Sequence, residues 1–71
     1  MIVFIGDWVK TANKKWKQVV TVNVGNDTFA TLTMDGDLEW WEAQDNLEAS
    51  EDFIDHKSDT EMQALLTYLG L

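Results

Sequence analysis

Apolar residues in this chain recur at two different spacings. From Trp16 to Val24, positions 16, 20, 22 and 24 fall on one side at period two, as in a strand with one buried face. Thr28 to Met34 repeats the spacing, with Ala30, Leu32 and Met34 on one side and Phe29, Thr31 and Thr33 on the other. Leu38 and Trp40 carry it into a short further run, and MIVFI, ended by Gly6-Asp7, reads as a first strand. Val, Thr, Phe and Trp suit such runs because branched and flat side chains fill a pleated surface. Gly25-Asn26-Asp27 and Asp35-Gly36-Asp37 separate them as turns. In the tail the spacing changes to i, i+3, i+4, i+7: Met62, Leu65, Leu66 and Leu69 form one stripe of an amphipathic helix. Ser58 and Glu61 have capping-box spacing, and Asp59 adds negative charge at the positive helix start. Gly70 can take the left-handed conformation that ends a helix and lets Leu71 fold back on Leu66.

Turn chemistry and burial make opposite demands on the strand register. Gly-Asn and Asp-Gly favour two-residue hairpin loops, which pair Val24 with Asp27 and Leu32 with Glu39. Three-residue loops pair Val24 with Thr28 and Leu32 with Trp40, which keeps one apolar face together. A one-residue slip turns every side chain over, so burial is expected to prevail, with Trp40 inward and Trp41 outward. Between Glu39 and Asp55, residues Trp40, Ala43, Leu47 and Ile54 fit a helical stripe that Phe53 does not join. This predicts a strand ending near Trp41 and a loop or short helix over 43–55. The expected fold is α+β in a single domain, 1–71: an antiparallel β-meander of about four strands, then one or two helices, the C-terminal one covering the apolar face of the sheet.

Composition narrows the function classes. A chain of 71 residues buries only roughly 60% of its unfolded surface, which leaves little room for a deep cleft. Hydrophobic residues at 45% and four tryptophans mark a globular chain. Without cysteine there is neither disulfide nor thiolate metal site, which suits a cytoplasmic location. No apolar run approaches the ~20 residues of a membrane span, so no membrane partner is expected. Charge is the strongest bias: 13 acidic residues against five lysines. Residues 35–61 hold 11 of those acids against Lys57 alone, while Lys10, Lys14, Lys15 and Lys17 sit around the first turn. This predicts a molecule with an acidic end and a basic patch. If the acidic window were helical, its carboxylates would fall about every 3.7 Å, against about 1.7 Å for charges along duplex DNA and about 3.4 Å along one strand.

Catalytic chemistry finds no foothold in the motifs. His56 is the sole histidine, expected to be exposed near the helix start, and no serine has the flanking glycines of a nucleophile elbow. Asp35, Asp37 and Glu39 have the opening spacing of a calcium loop, but Trp40 stands where its turn glycine belongs. Neither cofactor nor metal is expected, and no enzymatic activity.

The expectation is a non-enzymatic acidic protein that occupies a basic nucleic-acid-binding site on a partner, such as a nuclease or effector complex. Asp37, Glu39, Glu42, Asp45, Glu48, Glu51, Asp52 and Asp55 would steer it, and Trp41 would anchor it. By analogy of charge and size alone, a phage-encoded inhibitor of host CRISPR or restriction nucleases, acting in the host cytoplasm, fits this description. A competing class is a small assembly protein that forms homo-oligomers through an exposed tryptophan. A third is single-stranded nucleic-acid binding, with Trp8 and Trp16 interleaved among lysines. A net charge of −8 opposes that third reading, so direct nucleic-acid contact is not expected.

Overall fold

The alternating run after Trp16 is broken by a change of backbone partner. In the computed structural model, which describes residues 2–42 and 44–70 (the Ala49 side chain excepted), Val19 N–H donates to Asp7 O and Val19 O accepts from Gly6 N–H, both at 2.8 Å. One residue later, Val20 N–H donates to Ala30 O at 2.9 Å. The chain therefore bends at this dipeptide and contributes a strand to each of two sheets.

Among the described residues there are six strands: β1 (Trp8–Thr11), β2 (Trp16–Gln18), β3 (Thr21–Asn23), β4 (Thr28–Leu32), β5 (Leu38–Glu42) and β6 (Phe53–Lys57). They pair antiparallel in the orders β2–β1–β6 and β3–β4–β5, and one helix, α1 (Asp59–Leu69), follows. The fold is α+β, with six strands in two sheets where the apolar spacing suggested about four in one meander.

The core lies between the sheets. Val9 and Phe53 from the first sheet meet Phe29, Val22 and Trp41 from the second, with Val3, Val19 and Leu47 completing the cluster. Phe53 stacks at a tilt on Phe29, centroids 5.4 Å apart, and takes Trp41 edge-on at 4.8 Å. Such edge and tilted contacts suit the ring quadrupoles.

The register differs from the one that apolar spacing favoured. Val22 lies opposite Phe29 and Asn23 opposite Thr28, the frame that Gly-Asn as a two-residue loop would set. In the next hairpin Leu32 faces Leu38 and Ala30 faces Trp40. Thr33 N–H donates to Asp37 O, so the loop is Met34-Asp35-Gly36, with Gly36 at φ +86°. Phe29, Thr31 and Trp41 consequently face the core. Leu32, Met34, Leu38 and Trp40, the expected inner face, are solvent-exposed. The physical reason is the bend at Val19-Val20: it supplies a second sheet, whose Val9 and Phe53 cover the odd-numbered side of β4 and β5.

Other expectations need correction as well. Residues 2–5 form no strand; Val3 alone is buried there, held by Val3 N–H to Gln44 O (2.8 Å) and Gln44 Nε2 to Val3 O (2.7 Å). Ala43, Met1 and Leu71 lie outside the described residues, and with them parts of the helical stripe, the first strand and the helix end. Residues 47–49 make a single 3-10 turn, and Phe53 begins β6. Phe53 turns into the core while Ile54 stays exposed, beside an irregularity in the pairing of β1 with β6.

Helix α1 starts as its cap residues dictate. Ser58 accepts from Glu61 N–H at 3.1 Å, and Glu61 Oε1 accepts from Ser58 N–H at 3.2 Å. Gly70, at φ +76°, ends it with its N–H directed to the carbonyls of Leu66 and Thr67. The helix packs against β6, burying Met62 and half-burying Leu65 and Leu66. It does not cover the main apolar face, because the opposing sheet already does. No helix among the described residues is long and apolar enough to cross a membrane.

Candidate functional site

The fold disperses the acidic window. Asp37 closes the β4–β5 turn, its N–H donating to Thr33 Oγ1 at 3.1 Å. Glu42 ends β5 opposite Thr28, and Glu48 sits in the 3-10 turn, both exposed. Glu51 and Asp52 are exposed in the turn before β6, where Asp52 O accepts from Ala12 N–H at 2.8 Å. Asp55, exposed on β6, lies in register with Lys10, and Glu39 is half-buried 3.6 Å from Lys17. Lys15 and Lys17 line one surface depression with Glu39, Trp41 and Asp52. The lysines of the first turn thus abut part of the acidic set, so the separation of an acidic end from a basic patch does not hold as expected. Nor is the acidic window helical as a whole, since 39–42 is strand and 53–57 is strand.

Asp45 is held beside Asp27. Its N–H donates to Asp27 Oδ1 at 2.8 Å. A side-chain hydrogen bond with Asp27, and then the charge of that carboxylate, push the Asp45 carboxyl above its ordinary range. Asp27 is held in place by a left-handed backbone, φ +54°, at the end of the β3–β4 turn.

The two adjacent tryptophans have exchanged their expected places. Trp41 is half-buried against Phe53, and its Nε1–H donates to the buried Thr31 hydroxyl at 3.0 Å. Trp40, opposite Ala30 on the outer face, is 49% exposed. It shares that face with Leu32 and Leu38, 47% and 50% exposed and paired across β4 and β5. Reasoning from spacing missed this trio as a surface feature. The Gly-Asn turn was the available signal, because its two-residue frame turns the odd side of β4 inward.

His56 is also placed differently from expectation. Its side chain is 10% exposed, and Nε2 lies 2.8 Å from Oδ2 of Asp7, itself 12% exposed. The same Asp7 oxygen accepts from Phe4 N–H at 3.0 Å. Residues 49 positions apart are joined here, tying the first strand to the last. Among the described residues no hydroxyl is hydrogen-bonded to His56, and no group of three His, Asp or Glu side chains is arranged to hold a metal ion. The pair reads as a polar tie between β1 and β6.

No protein-family model matches this sequence, and no curated protein or solved structure shows significant similarity to it.

Proposed function

We propose that this protein is a non-enzymatic acidic binding module that occupies a basic, nucleic-acid-binding surface of a partner protein. One observation carries the reading: ten of the 11 acidic residues between 35 and 61 are solvent-exposed, Glu39 being the half-buried exception. Spread over turns, strands and the first turn of α1, these carboxylates create a field that attracts a basic surface and accelerates encounter. The narrower form of the proposal is an inhibitor of a host nuclease or CRISPR effector, encoded by a phage and acting in the host cytoplasm. Its support is charge and size. Of the acids expected to steer, Glu42 lies opposite Thr28 in the strand pairing and Asp37 closes the β4–β5 turn; with Asp45 and Glu51, exposed outside the strands, they form the core of the proposed set. Glu39, Asp52 and Asp55 are partly compensated by neighbouring lysines.

The test is affinity capture from a lysate of the native host with elution by rising salt. The expected product is a basic nucleic-acid-binding protein, released as salt screens the contact and displaced by its own DNA or RNA. Direct retention of single-stranded DNA by this chain, with no protein partner, would overturn the proposal.

A further inference from the structure

The outer face of β3–β4–β5 joins an apolar centre to an acidic frame. Leu32, Leu38 and Trp40 lie on adjacent strands in register, each about half exposed and none engaged in the core cluster. An indole and two leucines thus form an apolar cluster in contact with water on one sheet face, and such clusters rimmed by polar groups mark interaction sites. Glu42 ends the same face, and Asp35 and Asp37 occupy the turn at its other end, all exposed. Residues 18–56, which include this entire sheet, contain no lysine or arginine. The neighbouring lysine that approaches β5, Lys17, reaches Glu39, whose side chain belongs to the opposite face.

We infer that this face is a docking surface for a protein whose matching patch has an apolar centre ringed by lysine or arginine. The inference rests on the acidic-binder reading and deepens it by naming the surface and its anchor, Trp40. Charge complementarity selects the occupant. A second copy placed on this face by two-fold symmetry would bring Glu42, Asp35 and Asp37 against their own counterparts or other acids, with no base on the sheet to offset them. Nucleic acid would meet the same repulsion. A basic rim on the partner instead pairs with each carboxylate, while the indole fills an apolar recess, the arrangement usual for interface hot spots.

Two synthetic peptides of equal length and equal lysine content serve as probes, one with leucines at its centre and the other with serines. Each is titrated into the isotopically labelled full chain and followed by amide and indole N–H resonances. The leucine peptide should bind about tenfold more tightly, the gain from burying roughly one apolar side chain. Its shifts should map to Ala30, Leu38 and the Trp40 indole, leaving the Trp41 indole and Ile54 unmoved. Trp40→Ala, and separately Leu38→Ser, should erase the preference while retaining dispersed native spectra; Ile54→Ala on the other sheet should not. Equal, salt-sensitive binding of both peptides would overturn the docking face and leave the acidic-binder reading standing. Binding of neither peptide at low salt would overturn both. The same shifts appearing with protein concentration alone would overturn the inference in favour of a second copy as the occupant.

Discussion

Replacing Trp41 and Trp40 in turn separates the buried indole from the exposed one by magnitude. Trp41→Ala removes a ring packed edge-on against Phe53 at 4.8 Å and the donor to Thr31 Oγ1 at 3.0 Å. Full truncation of a core tryptophan costs about 3–5 kcal/mol, and a half-buried ring loses about half of that. The aromatic contact adds about 0.5–1.5 kcal/mol, and the orphaned Thr31 hydroxyl, fully buried, about 1 kcal/mol more. The expected loss is therefore about 3–5 kcal/mol. A domain of 71 residues has a total margin of about 4–10 kcal/mol, so this variant should sit near its folding threshold. Trp40→Ala removes a half-exposed ring outside the core cluster that lies opposite Ala30 across the strand pair, worth at most about 1 kcal/mol. Urea unfolding followed by far-ultraviolet circular dichroism should show the contrast. With a slope of about 1 kcal/mol per molar urea, the midpoint should drop by about 3–5 M for Trp41→Ala and by less than about 1 M for Trp40→Ala. Equal drops would refute the assignment of faces, and with it the docking surface built on Trp40.

Four further outcomes are expected. Removing residues 59–70 should lower stability by about 2–3 kcal/mol, mainly the burial of Met62, while leaving one cooperative thermal transition, because the core between the sheets contains no helix residue. Ser58→Ala should cost about 1 kcal/mol through loss of the cap, read from the same denaturation curves. Glu61, held below the ordinary glutamate range by hydrogen bonds from the Ser58 backbone and side chain, contributes stability that is present above its ordinary value and lost as pH falls through the lowered one; Glu61→Ala should flatten that acid limb. Asp45, raised by Asp27, has the opposite sign: its proton is bound more tightly in the fold, so the term improves as pH falls, and Asp45→Asn should raise the melting temperature at neutral pH.

The helix was the most legible element, since its signals are local. Ser58, Glu61 and Gly70 act on backbone groups within one turn, and each does what its chemistry requires. The strands were legible as strands but not as faces. Even-numbered positions in β4 and β5 carry Leu32, Leu38 and Trp40, odd ones Phe29, Thr31 and Trp41, and apolar content alone ranks the first set at least as high. What decided the matter was tertiary: a break at Val19-Val20 that alternation cannot reveal, and a second sheet waiting on the odd side. The acids were scattered because their window turns back between β4 and β5 and then crosses to the other sheet at β6, so distances along the chain say little about distances in space. His56 was misplaced for a related reason, its partner Asp7 lying 49 residues away.

The arrangement of β1 has a consequence for the order of folding. It pairs on one side with β2, joined by a tight turn, and on the other with β6, which the chain reaches only after closing a loop of more than forty residues between Thr11 and Phe53. Hairpins β1–β2, β3–β4 and β4–β5 can form early at small entropic expense, whereas the β1–β6 pairing must wait for long-range closure. During synthesis a chain extended only to Asp52 would hold Val9 and Phe29 without Phe53 between them. The nascent chain therefore stays unsealed until β6 emerges, and completion of the core between the two sheets becomes an event that follows the making of nearly the whole chain.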